Sequence, residues 1–267
     1  MYNVNLSAYL MFQHAKERGL IGENPLDKVP QPKKDTKEKA AMHPAQYRAL
    51  LAKLDATDRM QCAVLLCAAL GLRRSESLGL SWGDVDFGAG TIDVHASTKE
   101  DGTLKDPMTE AGNRILPMPE WLADELMRRK AEAVAQLAKY RPDLLTAVMA
   151  KRGEEPAGAV KVGKVWHDVV PTVAVCCDQD GMRMQPDKLS HWWARRRKDL
   201  GAEDWTLHGL RHTFLSLAAA QGIHPSVMMR LAGHKNPNIT MRIYTHVNME
   251  SKGEAMDAMQ AAYVVAG

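Results

Sequence analysis

Leu207-His208-Gly209-Leu210-Arg211-His212-Thr213-Phe214 is the stretch on which the reading of this chain turns. It lies in a region, from Pro186 to the end, that reads as helical and is broken at Gly201, Gly222, Gly233 and Asn236-Pro237. Two other segments share its character. One is Gly71-Leu72-Arg73-Arg74-Ser75-Glu76, followed by Leu78, Leu80 and Trp82. The other is Leu231-Ala232-Gly233-His234, followed ten residues on by Tyr244 in Ile243-Tyr244-Thr245-His246-Val247.

The side chains of these segments suit one kind of chemistry. Arg and His are donors fitted to phosphate oxygens. Two arginines from distant segments can clamp both non-bridging oxygens of one phosphodiester. A tyrosine is a nucleophile if that phosphate is electrostatically activated. No Asp/Glu cluster stands ready to hold two magnesium ions, so metal-dependent phosphoryl transfer lacks its ligands. Plainer readings exist for each residue alone. Arg73 and Glu76, at i and i+3, make an ordinary helix salt bridge. His208 and His212, at i and i+4, have zinc spacing but no third ligand. Tyr244 on an amphipathic helix is an ordinary core residue.

Charge supports a phosphate partner locally, not globally. The chain has 35 Lys+Arg against 32 Asp+Glu, a net charge of only +3. Residues 180–246 hold ten Lys/Arg against five Asp/Glu, a local excess of five. Such a basic half is the electrostatic footprint of a phosphate-backbone binder. The run Arg195-Arg196-Arg197-Lys198, taken alone, reads as a solvated helix face.

Outward from these segments, a helix-like pattern holds Leu6, Tyr9, Leu10 and Phe12, stops at Gly19, and turns at Asn24-Pro25. Residues 30–40 have linker composition. Pro44 starts a helix through Tyr47, Leu50, Leu51 and Leu54. A buried helix spans about Arg59 to Leu70, with Gly71 as its cap. A short one follows at Ser75–Leu80. Val85, Phe87, Ile92 and Val94 alternate with polar residues, and Arg114-Ile115-Leu116-Pro117 supplies a last strand, so a small antiparallel sheet is expected. Residues 119–139 are helical again, 140–170 have no clear assignment, and Val173–Cys177 reads as a short strand. The expected fold class is α+β, mostly helical.

With 267 residues the chain can bury a sizeable core. It has no apolar run near the roughly 18 residues of a membrane span. Its opening residues lack the pattern of a secretory signal. Cys62, Cys67, Cys176 and Cys177 fit neither a metal motif nor a disulfide framework, and read as reduced thiols of a cytoplasmic protein.

Taken in order, these segments resemble the tyrosine recombinases, and specifically the phage-type integrases. That family carries R-x-x-E, H-x-x-R, G-H and a nucleophilic Tyr in this order. Arg73 and Glu76 match the first box, His208 and Arg211 the second, Gly233-His234 the third and Tyr244 the fourth. The resemblance runs from about residue 43 to 248. It implies that Arg73 and Arg211 neutralise a pentacoordinate phosphorane and that His208 and His234 donate to the same oxygens or move protons. Tyr244 would form a 3′-phosphotyrosyl link and free a 5′-hydroxyl, with no cofactor and no metal. Glu76, His212 and His246 would be supporting residues.

The family also uses a hairpin lysine as general acid. The usual register puts Met108 there, which cannot donate a proton. Lys105 is the favoured substitute and Lys99 the other candidate. The domain expectation is 1–29 as the remnant of a helical core-binding domain, 30–42 as linker and 43–267 as catalytic domain. With so short a front, weak site binding by this chain alone is expected. The implied partners are double-stranded DNA, a homo-tetramer formed on it, and accessory DNA-bending or excision factors, at the nucleoid of a bacterial host; Ala255–Val265 reads either as the segment swapped between neighbours or as a stretch that packs on its own domain. A catalytically impaired DNA-binding remnant and a type IB topoisomerase are the rival readings.

Overall fold

A computed structural model describes residues 2–30, 41–105, 112–140, 173–178, 181–234 and 236–249. Met108 and Ala255–Val265 lie outside them. The chain forms two compact units, 1–39 and 40–267.

The first unit holds helix α1 (Tyr2–Glu17). The Gly19 backbone, at φ 70°, ends it, with Leu20 N donating to the Ala15 carbonyl at 2.9 Å. The chain then folds back. Buried Asn24 donates from Nδ2 to the Tyr9 carbonyl at 3.1 Å, and its Oδ1 accepts from Leu26 N at 3.0 Å. This is how Asn24-Pro25 makes its turn: the amide side chain substitutes for backbone partners.

The second unit begins with α2 (Pro44–Lys53) and α3 (Arg59–Ala69). Asp58 caps α3, its carboxylate accepting from Met60 N and Gln61 N at 2.9 Å each. The run Cys62 to Ala68 is buried all round, so α3 is an interior helix. Gly71 follows it at φ 63°. A Cβ there would stand 2.5 Å from the Phe214 ring, so both conformation and packing require glycine. Next comes α4 (Arg74–Gly79), close to the expected short helix.

The sheet is antiparallel and three-stranded, in the order β1 (Val85–Asp86), β2 (Thr91–Val94) and, from further along the chain, β5 (Arg114–Pro117). Ile92 pairs with Leu116 and Val94 with Arg114. Between β2 and β5 a separate hairpin pairs β3 (Ser97–Thr98) with β4 (Leu104–Lys105). Helix α5 (Glu120–Tyr140) crosses the core through Leu122, Leu126, Ala133 and Leu137.

Residues 173–177 differ from expectation. They form two isolated bridges, Ala174 to Ser81 and Cys177 to Arg183, rather than a strand. The Val173 carbonyl accepts from Trp82 N at 3.0 Å, while those of Val175 and Cys177 find a side-chain donor in place of a strand neighbour. Arg129, fully buried on α5, donates to the carbonyls of Val175 (3.1 Å), Cys177 (3.2 Å) and Thr57 (3.2 Å).

Four helices complete the unit: α6 (Pro186–Arg196), α7 (Leu207–Ala220), α8 (Pro225–Ala232) and α9 (Pro237–Met249). Gly222 and Gly233 follow the ends of α7 and α8, Gly201 lies in the turn after α6, and Asn236-Pro237 starts α9. Helix α7 packs against both α3 and α9. Its Leu210 joins the main core, while Leu215, Ala218 and Ala219 meet Met228, Ala232 and Ile243 in a smaller one. It therefore carries residues 208–212 between the two.

Candidate active site

Arg73 stands at the N-cap of α4, and Glu76 is the third residue inside it. Glu76 Oε2 accepts from Arg73 N at 2.8 Å, which closes one half of a capping box. Its Oε1 accepts from the Arg73 guanidinium at 2.5 Å. The i, i+3 salt bridge of the plain reading is thus present, and it is part of something larger. Arg114, buried at the start of β5, donates to both Glu76 oxygens, at 2.8 and 3.3 Å. Arg211 lies 3.8 Å from Glu76 Oε2. One carboxylate is the counter-ion of three guanidinium groups. Burial alone would raise its pKa; the hydrogen bonds and charge of Arg114, then those of Arg73, outweigh this and bring it down to about 2.

The guanidinium groups also tie distant segments. Arg73 donates to the Gly233 carbonyl at 3.0 Å. Arg211 donates to the Gly71 carbonyl at 2.6 Å and to the Ala232 carbonyl. Arg114 donates to the Leu231 carbonyl at 2.8 Å. The three segments singled out in the sequence, 71–76, 208–211 and 231–234, are therefore one assembly. Gly233 completes it: its left-handed backbone, φ 62° and ψ 44°, ends α8 and aims His234 back at the arginines.

The arginines are placed at different depths. The Arg73 side chain is 40% exposed and that of Arg211 only 1%. Arg211 lies beneath the site with its donors on carbonyls. Burial, then the charges of Arg73 and Arg114, against the pull of Glu76, push its pKa down to about 10, so it is cationic at neutral pH. Both imidazoles feel the same field. His208, in the first turn of α7, has its pKa lowered by burial, then by Arg211, His212 and Arg73. His234 is lowered to about 4 by burial, then by Arg211, Arg73, Arg114 and His208. Its Nδ1 lies 2.9 Å from Thr240 Oγ1, which fixes the ring. His212 points elsewhere, with Nδ1 at 3.4 Å from Ser216 Oγ.

A hollow of about 470 Å³ opens beside this cluster. Arg73, Arg74, Arg197, Ser75, Thr206 and His208 line it, and none of its lining residues is acidic. Arg197, the C-cap residue of α6, thus turns from the basic run to line the hollow.

Tyr244 is on α9, half-buried against the smaller core, which Phe214 and Ile223 also pack against. Among the described residues, no hydrogen bond joins its phenol to the arginines or imidazoles. Lys105, on β4, and Lys99, just past β3, are both exposed. Ser97 pairs with Lys105, and Lys99 N donates to Thr103 O at 2.8 Å, so the alternation of the ladder puts both lysines on one face of the hairpin.

Sequence reading missed Arg114 as a site residue. The signal was available: in Arg114-Ile115-Leu116-Pro117 the buried positions are Arg114 and Leu116, while Ile115 is 68% exposed. Period 2 turns the arginine inward once Leu116 is taken as core.

A mostly helical frame with a small antiparallel sheet, holding Arg, Glu and His from three segments in one bonded cluster beside a hollow, is the architecture of a tyrosine-recombinase catalytic domain. Residues 40–251 match the phage integrase family, and the chain belongs to it. It is 25% identical over 206 residues to a "Tyrosine recombinase XerC-like" protein of Caldanaerobacter subterraneus subsp. tengcongensis, covering 77% of this chain and 50% of that one. It is 26% identical over 228 residues to the transposase of transposon Tn916 from Enterococcus faecalis, covering 81% and 50%. The chain thus spans about half the length of these relatives. Its fold matches that of a Tn1549 transposon integrase solved with a circular intermediate DNA, at TM-score 0.67 and 23% identity, over 96% of this chain and 78% of the other.

Proposed function

We propose that this chain cleaves and rejoins DNA at specific sites, in integration or excision, through a 3′-phosphotyrosyl intermediate. The observation that carries the reading is the bonding of Arg73 to Gly233 and of Arg211 to Gly71 and Ala232, which holds both arginines and the His234 segment together beside an acid-free hollow that Arg73 and His208 line. A scissile phosphate in that hollow meets the exposed face of Arg73 directly. Arg211, beneath it, adds charge through a low-dielectric interior, where preorganised charge acts most strongly.

The Tyr244 oxygen attacks phosphorus. The P–O bond to tyrosine forms, the P–O5′ bond breaks, and the 5′-oxygen leaves with a proton from a hairpin lysine, Lys105 or Lys99. His208 and His234, both held below their ordinary pKa, are neutral at pH 7. A neutral imidazole can accept the phenol proton or donate N–H to a phosphate oxygen. No metal enters the step. The 5′-hydroxyl of a partner strand then reverses it.

Residues 43–267 serve as the catalytic domain in this reading, 30–42 as linker and 1–29 as part of a core-binding domain. Double-stranded DNA is the substrate, a homo-tetramer assembles on it, accessory factors bend it, and the protein works at the nucleoid. The test is a nicked suicide duplex carrying a sequence selected by this chain from a randomised pool. A covalent protein–DNA adduct that survives denaturation and is lost in Tyr244→Phe supports the reading. No adduct, or an adduct that Tyr244→Phe keeps, refutes it.

A further inference from the structure

Arg74, adjacent to the catalytic Arg73 of the reading above, is not used by it. Its guanidinium holds three partners from two other elements. One terminal nitrogen donates to Glu100 Oε1 at 2.7 Å, in the turn between β3 and β4. The other donates to Ser190 Oγ at 2.7 Å and Asp187 Oδ1 at 3.1 Å, both on α6.

The hairpin is gripped at two further points. At its base, Gly79 of α4 approaches so closely that a Cβ there would stand 2.7 Å from the Ala96 carbonyl oxygen and 2.9 Å from Ser97 Cα. At its turn, Gly102, at φ 89°, lies against the Arg183 carbonyl and Gln185, just ahead of α6. The hairpin therefore lies along α4, fixed at the base by contact and at the tip by the Arg74–Glu100 pair. Lys99 is next to Glu100, and Lys105 shares its face of the ladder.

We propose that Arg74 is a positioning residue: through Glu100 it clasps the β3–β4 hairpin to α4 and α6 and so sets where the hairpin's lysine presents its proton to the leaving 5′-oxygen. This rests on the proposed strand-cleavage reaction and deepens it. A planar fork reaching three acceptors in two elements is a task for arginine rather than lysine. The clasp is exposed, with the Glu100 side chain at 64%, so its loss leaves the fold intact and loosens the hairpin.

The leaving group makes this testable. A 5′-oxygen needs a proton as the P–O bond breaks. A 5′-bridging sulfur leaves as a thiolate, since a thiol pKa is about 8.5, and needs none. Cleavage is measured with the full chain on nicked duplexes of its selected sequence, in 5′-oxygen and 5′-sulfur forms, for wild type, Glu100→Gln, Arg74→Gln and the double variant.

Glu100→Gln should slow the oxygen substrate by about 10-fold or more, a share of the roughly 10²–10⁴-fold that general acid help provides. The sulfur substrate should change by less than about 3-fold, because its step bypasses the acid. The double variant should be no slower on oxygen than the slower single one, as for residues acting as a unit. Equal slowing of both substrates, or no slowing of either, overturns the proposal. So do additive single effects. If wild type forms no adduct with either substrate, the strand-cleavage reading itself has failed and the clasp falls with it.

Discussion

Replacing Glu76 by Gln tests the electrostatic centre of this fold. The carboxylate is buried and faces Arg73, Arg114 and Arg211. Its pKa falls from 4.5 to about 2. A drop of about 2.5 units, at 1.36 kcal/mol each, makes the charged form worth about 3 kcal/mol to the folded state. Glutamine keeps the shape and removes the charge, leaving three buried or half-buried cations without a counter-ion. The expected loss at pH 7 is at least that 3 kcal/mol, in the range for breaking a buried pair. The sign of the pH dependence follows from the depressed pKa. The contribution is complete above about pH 4.5, the unfolded value, and disappears as pH falls through the folded value near 2. Urea unfolding of both proteins at pH 7, 5 and 3 measures it. The gap should be constant from pH 7 to 5 and should shrink by more than half at pH 3. A gap below about 1 kcal/mol at pH 7, the size of an exposed pair, refutes the reasoning. So does a gap that does not change with pH.

His234 should titrate near pH 4, not near 6.5, when its ring protons are followed by NMR. Arg73→Gln should raise that midpoint, because one of the charges opposing protonation is gone. Gly79→Ala should destabilise by about 1–3 kcal/mol in chemical denaturation, the usual cost of overpacking, since backbone atoms of Ala96 and Ser97 occupy the space. Arg129→Met should cost at least about 3 kcal/mol in the same assay, as the carbonyls of Thr57, Val175 and Cys177 lose their donor in a dry interior.

The sequence reading succeeded where local chemistry decides. Gly71 and Gly233 announce helix ends because only a left-handed residue turns the chain there. Arg73 and Glu76 announce themselves because residues three apart share a helix face and pair there. Arg129 stayed hidden, and of Arg114 only the inward register was legible. Each is buried by acceptors far along the chain, Arg114 by Leu231 and Arg129 by residues 46 to 72 positions away. No window of sequence contains such partners. Residues 173–177 were misread for the same reason: an apolar run gives no sign of whether its carbonyls will meet a strand or an arginine. The expected tetramer segment and the Met108 register fall outside the described residues.

The buried arginines also explain why the site is built as it is. A guanidinium that must meet a phosphate has to be rigid before the phosphate arrives, since ordering it later would draw on binding energy. Arg211 is fixed by the carbonyls of Gly71 and Ala232, and Arg73 by Gly233 and Glu76. Neither depends on the ligand for its conformation. Glu76 makes this possible by lowering the cost of three neighbouring cations. It cannot cancel the field, because one carboxylate stands against three guanidinium groups. Burial first, and then the surplus of positive charge, lowers the pKa of His208 and His234, and that surplus is also what a phosphodiester would neutralise. Phosphate arrival should therefore raise the pKa of both imidazoles, coupling occupancy of the hollow to proton uptake. The arrangement that stabilises the anion thus also prepares the proton carriers for it.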